Sequence, residues 1–159
     1  HHRWMDNFHT AFNLEALLTI RKNLTTTEYD EVIRRVFGFY IENFFLEDGT
    51  PKYYLKNIYP IDVHTIAESI IFLSKVSENA QDFFTEKERG QAQDVLGRVV
   101  ECAFRNFWDK RGYFYFQKER YWFNKINYLR WSQAWMFYAL CCYQGVKNVK
   151  PTGPQKPAL

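Results

Sequence analysis

What this sequence lacks narrows its reading first. Only 7 of its 159 residues are glycine, and they are scattered, so no glycine-rich loop exists to cradle a phosphate. Three cysteines, Cys102, Cys141 and Cys142, make an odd count without framework spacing, which points to reduced thiols in a cytoplasmic protein. No apolar run approaches the roughly 18 residues of a membrane span, and no basic start leads into the apolar core of a secretory signal. An excess charge of one sign is missing as well. Lys147, Lys150 and Lys156 account for the whole net charge of +3, so residues 1–146 are balanced and offer no basic face for nucleic acid. His64 and Glu68 have helical ligand spacing without an evident third ligand, so neither a metal nor another cofactor is expected.

What the sequence has in excess is aromatic side chains: 15 Phe, 11 Tyr and 5 Trp, or 19% of the chain. They sit in a repeated pattern. Residues 27–45 carry an apolar stripe at spacings of three and four, with Asp30, Glu31, Arg34, Arg35 and Glu42 on the other face. Residues 86–108 repeat it behind Thr85 and Glu88, a capping box. Three further segments, 8–22, 62–76 and 131–145, are helical by length but nearly apolar all round, which predicts helices buried on every side. Buried and amphipathic helices therefore alternate. The connections repeat too. Asn43-Phe44-Phe45 leads to Gly49 and Asn106-Phe107-Trp108 leads to Gly112. Each glycine suits a left-handed stop, and an aromatic stretch with a polar middle, predicted as a β-hairpin, follows it. The lead-ins to the buried helices, Met5–Thr10, Pro60–Thr65 and Asn127–Ser132, start 55 and 67 residues apart. Such self-similarity marks an array of supersecondary units.

The expected fold is all-α: an α/α-hairpin array, part of an (α/α)6 toroid, with short aromatic β-hairpins between helix pairs. Residues 1–146 form that partial toroid and 147–159 a flexible basic tail with three prolines. Because the chain opens on an inner helix without an outer partner, we expect the C-terminal portion of a longer protein. The alternation resembles the six-hairpin glycosidase-like (α/α) toroids, which act on sugars. Trp4-Met5-Asp6-Asn7-Phe8-His9-Thr10-Ala11-Phe12-Asn13-Leu14 also resembles a stretch near the C-terminus of glucuronyl C5-epimerases. The run from Arg3 to Tyr143 is similar to uncharacterised proteins linked to surface-polysaccharide synthesis. These resemblances imply a carbohydrate-active protein.

In such a repeat the inner-helix starts share one end of the ring, and polar residues on otherwise apolar helices need a partner or a cavity. The candidate catalytic residues are His9, His64, Glu68, Asp6 and Asp62. Candidate substrate-binding residues are Asn13, Lys52, Tyr53, Tyr59, Tyr128, Arg130 and Trp131. Helix capping by the two aspartates is the competing reading of those positions. Two carboxylates suit a glycosidase, whereas a base with cations and amides suits a uronate epimerase or lyase, and helix N-termini favour an anionic sugar. The alternative class is a non-catalytic scaffold or interaction module. A saccharide is the expected ligand, and the missing N-terminal half or a second copy is expected to cover the open flank. Exposure of Phe8, Phe12 or Leu17 there would drive self-association.

Overall fold

A computed structural model of the chain describes residues 5–79 and 83–148. It is mostly helical. Five α-helices run in order: α1 (Asn7–Leu24), α2 (Asp30–Asn43), α3 (Val63–Asn79), α4 (Glu86–Phe107) and α5 (Trp135–Asn148). A π-helical turn, Leu129–Ala134, leads into α5. Five two-residue strands lie between them: β1 (Ile61–Asp62), β2 (Trp108–Asp109), β3 (Tyr113–Phe114), β4 (Gln117–Lys118) and β5 (Phe123–Asn124). All five predicted helices are present. α5 runs to Asn148, two residues into the tail expected at 147–159, and residues 149–159 lie outside the described residues, as does Trp4. No described helix is long and apolar enough to cross a membrane.

The helix termini follow from local chemistry. Asp6 caps α1 by accepting the His9 backbone N–H at 2.8 Å. Thr85 and Glu88 form the reciprocal capping box at the start of α4. α2 has no side-chain cap and starts at Asp30 rather than 27. There the Asp30 carboxylate takes the Arg21 Nε at 2.7 Å, tying the end of α1 to the start of α2.

α3 is the hub. It packs against α1, α4 and α5, while α2 lies on α1 and touches α4. The core joins Ile33, Phe37, Tyr40 and Phe44 with Ile66, Ile70, Phe72 and Leu73 of α3 and Leu96 and Val99 of α4. The expectation of three helices buried on every side holds only for α3. α1 leaves Phe12 53% exposed and α5 leaves Phe137 72% exposed. The reason is position: α3 lies between two helices and over a third, whereas α1 and α5 each have only α3 beside them in that row. α2, expected to be more exposed than α5, buries Ile33, Phe37 and Tyr40 completely and is no less covered.

The predicted hairpins are also corrected. After α2, the hairpin expected over Tyr53–Tyr59 is reduced to one isolated antiparallel bridge between Tyr54 and Asn57, where Asn57 N–H bonds Tyr54 O. The segment pairs backwards instead. Asn7 N–H donates to Tyr53 O at 2.9 Å and Leu55 N–H to Met5 O at 3.1 Å. After α4 there are two small hairpins, β2–β3 and β4–β5, and β4 also pairs antiparallel with β1. Each return thus pairs with the lead-in to its own unit's first helix. The helix-to-return junctions match in detail: Lys52 N–H bonds Phe44 O at 2.8 Å, and Tyr115 N–H bonds Phe107 O at 2.8 Å.

Gly49 and Gly112 close the equivalent turns with φ of +84° and +94°, in the return loops rather than as helix stops. Their surroundings differ. A Cβ on Gly49 would lie 2.4 Å from the Arg98 carbonyl carbon, whereas one on Gly112 meets open space. Gly49→Ala should therefore cost roughly 3 kcal/mol and Gly112→Ala about 1 kcal/mol, read as a clearly larger drop in thermal midpoint for the first.

Candidate functional site

The starts of α1, α3 and the π-helical turn meet at one end of the helix row, but their side chains divide between two surfaces. Both aspartates are helix caps. Asp6 is 6% exposed, and besides the His9 N–H it takes His9 Nδ1 at 2.9 Å. Asp62 is 7% exposed and accepts the His64 N–H at 2.8 Å and Gln117 Nε2 at 3.2 Å. Burial raises the Asp62 pKa, and the hydrogen bonds it accepts oppose that rise. Tyr53 lies near both caps, and burial, then Tyr54, Asp62 and Asp6, hold its hydroxyl above the ordinary range.

His64 and His9 do not share a pocket. Because the caps correspond, it is Phe8 of α1 that matches His64 of α3. The Phe8 ring lies 5.2 Å from the His9 ring and 4.6 Å from that of His64. His9 and Asn13 are exposed and turn instead to a groove of about 590 Å³ between α1 and α2, walled by Leu14, Leu17, Val36 and Phe39. The His64 ring is enclosed by Phe8, by Trp135 at 4.6 Å and by Trp131 at 5.5 Å. Its Nε2 is buried without a hydrogen-bond partner. Burial pushes the imidazole down to about 4, so it is neutral at pH 7.

One helical turn along the same face lies Glu68, 2% exposed, with Oε1 unpartnered. Burial, and then the neighbouring Glu15 carboxylate, push Glu68 up to about 7, against the opposing pull of Lys75. Glu15 of α1 reaches across to α3, where its Oε2 accepts from Lys75 Nζ at 2.5 Å; its Oε1 is likewise buried and unpartnered. Glu15 holds Lys75 above the ordinary lysine range despite partial burial. Three polar atoms on adjoining helices, His64 Nε2, Glu68 Oε1 and Glu15 Oε1, are therefore desolvated and unbonded. Trp131, Trp135 and Tyr138 stand on the α5 side.

The remaining candidates disperse. Arg130 is exposed and lies over the Trp131 ring at 4.8 Å. Tyr128 sets its ring against Phe116 at 4.9 Å. Lys52 Nζ bonds the Leu55 carbonyl at 3.2 Å. Tyr59 lines a separate cavity of about 220 Å³ with Asp48, Thr50 and Cys102. No group of three or more His, Cys, Asp or Glu side chains among the described residues could hold a metal ion. Sequence reasoning missed Glu15, Lys75 and Phe8 as site residues. A signal for Glu15 was present, since it is the one charge between Leu14 and Ile20. Compared with protein-family models, curated proteins and solved structures, the chain matches none of them.

The two shifted groups give opposite pH dependences. Glu68 binds its proton more tightly folded than unfolded. Its effect on stability is most favourable below pH 4.5 and is lost as pH rises to about 7. A shift of that size amounts to about 3 kcal/mol. His64 works the other way, its stability present above pH 6.5 and lost as pH falls towards 4. Urea titrations across pH 4 to 8 should find Glu68→Gln more stable than wild type at the alkaline end only, with the acid-side loss retained.

Proposed function

We propose that this chain forms an arc of an α/α-hairpin toroid and that its α1–α3–α5 face handles a saccharide, preferentially one bearing a uronic acid. The row of α1, α3 and α5, with α2 and α4 packed on its members, supports the array reading. So does the matched bonding of the two return segments. The observation that carries the ligand reading is the shelf at His64. Three aromatic rings flank an unbonded imidazole nitrogen, and a buried carboxyl lies one turn away. Aromatic faces suit the apolar faces of a pyranose, and desolvated acceptors and donors suit its hydroxyls. Arg130 over Trp131 supplies an exposed cation for a carboxylate.

Two carboxyl groups in unlike environments fit proton transfer. Glu15 is paired with Lys75, and Glu68 is the one that keeps its proton near neutrality. In this reading Glu68 is the acid of a glycosidase, lyase or epimerase, and Asp6 and Asp62 position helices. Trp131→Ala should weaken binding of a uronic-acid oligosaccharide about tenfold in calorimetric titration. Glu68→Gln should keep affinity and lose turnover. Unchanged affinity in Trp131→Ala would defeat the reading.

The groove between α1 and α2 favours a second reading, an interaction module, because its walls are apolar side chains of an uncovered flank. Light scattering over a dilution series should then show reversible association that Leu17→Glu abolishes; a monomer at every concentration would remove this reading.

A further inference from the structure

We propose that the β4–β5 hairpin and the strand leaving it form a peripheral docking surface for an anionic lipid bilayer, independent of the saccharide reading. Tyr121 and Trp122 occupy the hairpin tip, where Glu119 N–H bonds Trp122 O at 2.8 Å, and they are 84% and 57% exposed. Ile126 and Leu129 follow at 53% and 79% exposed. Four large apolar side chains thus stand exposed within one short segment, a local concentration above the scattered exposure normal for a surface.

The charges around them are mostly positive. Lys118, Arg120 and Lys125 carry no ion pair among the described residues. Each instead rests on an aromatic ring: Phe123 at 5.2 Å, Tyr121 at 5.2 Å and Tyr115 at 4.9 Å. Glu119 is the one acid between Lys118 and Trp131. The overall balance of residues 1–146 conceals this local excess. Unneutralised cations call for an anionic partner, and Ile126 and Leu129 decide which kind. An aliphatic side chain offers nothing to a base or a sugar hydroxyl, whereas an acyl boundary rewards its burial. Trp and Tyr settle at headgroup depth, and Lys and Arg meet lipid phosphates.

The test is co-sedimentation of the full chain with phosphatidylcholine vesicles, with and without about one-third phosphatidylserine, alongside soluble polyuridylate and a soluble polyuronate. The expected result is sedimentation with the anionic vesicles and not with phosphatidylcholine alone, undiminished by an excess of either soluble polyanion, whether or not the polyuronate is bound at the α1–α3–α5 face. Each of Arg120→Ala and Lys125→Ala should weaken it about fivefold, and Trp122→Ser with Leu129→Ser should abolish it at an unchanged thermal midpoint. Should the double variant fail to fold, brominated lipid must quench wild-type fluorescence by a clearly larger fraction than that of Trp122→Phe. Vesicle binding that ignores phosphatidylserine, or ignores Trp122 and Leu129, overturns the proposal. So does binding confined to the soluble polyanions.

Discussion

α3 has no face that can meet water, and the rest of the molecule is arranged around that constraint. Ile66, Ala67, Ile70, Phe72 and Leu73 are fully buried and cover most of its circumference, and Ile71 and Glu68 are buried on the side that His64 and Lys75 share. A helix apolar all round must be enclosed by other elements. α1, α4 and α5 do this, and α2 closes over α1. The strands are short because they serve as ties. β1 and β4 anchor the start of α3 as Tyr53–Leu55 anchors the start of α1.

Enclosing α3 also buries its polar groups, and these have two fates. Tyr40 Oη reaches Asn7 Oδ1 at 2.9 Å and Ser69 Oγ at 3.1 Å, which joins α1, α2 and α3 through one hydroxyl. Ser69 and Ser77 bond the carbonyls four residues back. The Tyr40, Ser69 and Ser77 hydroxyls are thereby satisfied, whereas Asn7 Nδ2 and Ser74 Oγ are buried without a partner. His64 Nε2, Glu68 Oε1 and Glu15 Oε1 are likewise removed from water and unbonded. Desolvation without compensation is what moves His64 and Glu68 from their ordinary titration ranges. The same geometry makes them the part of the interior most open to an added partner.

Repetition supplies the frame, and departures from it supply the chemistry. Asp6 and Asp62 cap equivalent helices, yet the residue two places on is Phe8 in one unit and His64 in the other. The second return is longer than the first, and the extra length forms the β4–β5 hairpin with its exposed Tyr121 and Trp122. A π-helical turn precedes α5, where α1 and α3 have capped α-helical starts. Such turns are frequent at functional sites, and this one carries Trp131 to the His64 ring.

Periodicity alone determined the number and the order of the helices, because a 3.6-residue stripe and its absence are local properties. The Thr85 capping box and the left-handed backbone at Gly49 and Gly112 were legible for the same reason, although the glycines close return loops rather than helices. Which helix is covered on all sides was not legible, since α1, α3 and α5 look alike until their neighbours are counted in space. The candidate site was read in part. His64, Glu68 and Trp131 stood out as odd residues in their segments, but pairing His9 with His64 followed sequence alignment of the lead-ins, whereas the caps shift the true match by one residue and turn His9 to the other surface. The Glu15–Lys75 pair and the ring cage around His64 join residues far apart in the chain. Contacts of that kind are products of helix packing, and no local pattern encodes which side chains will meet.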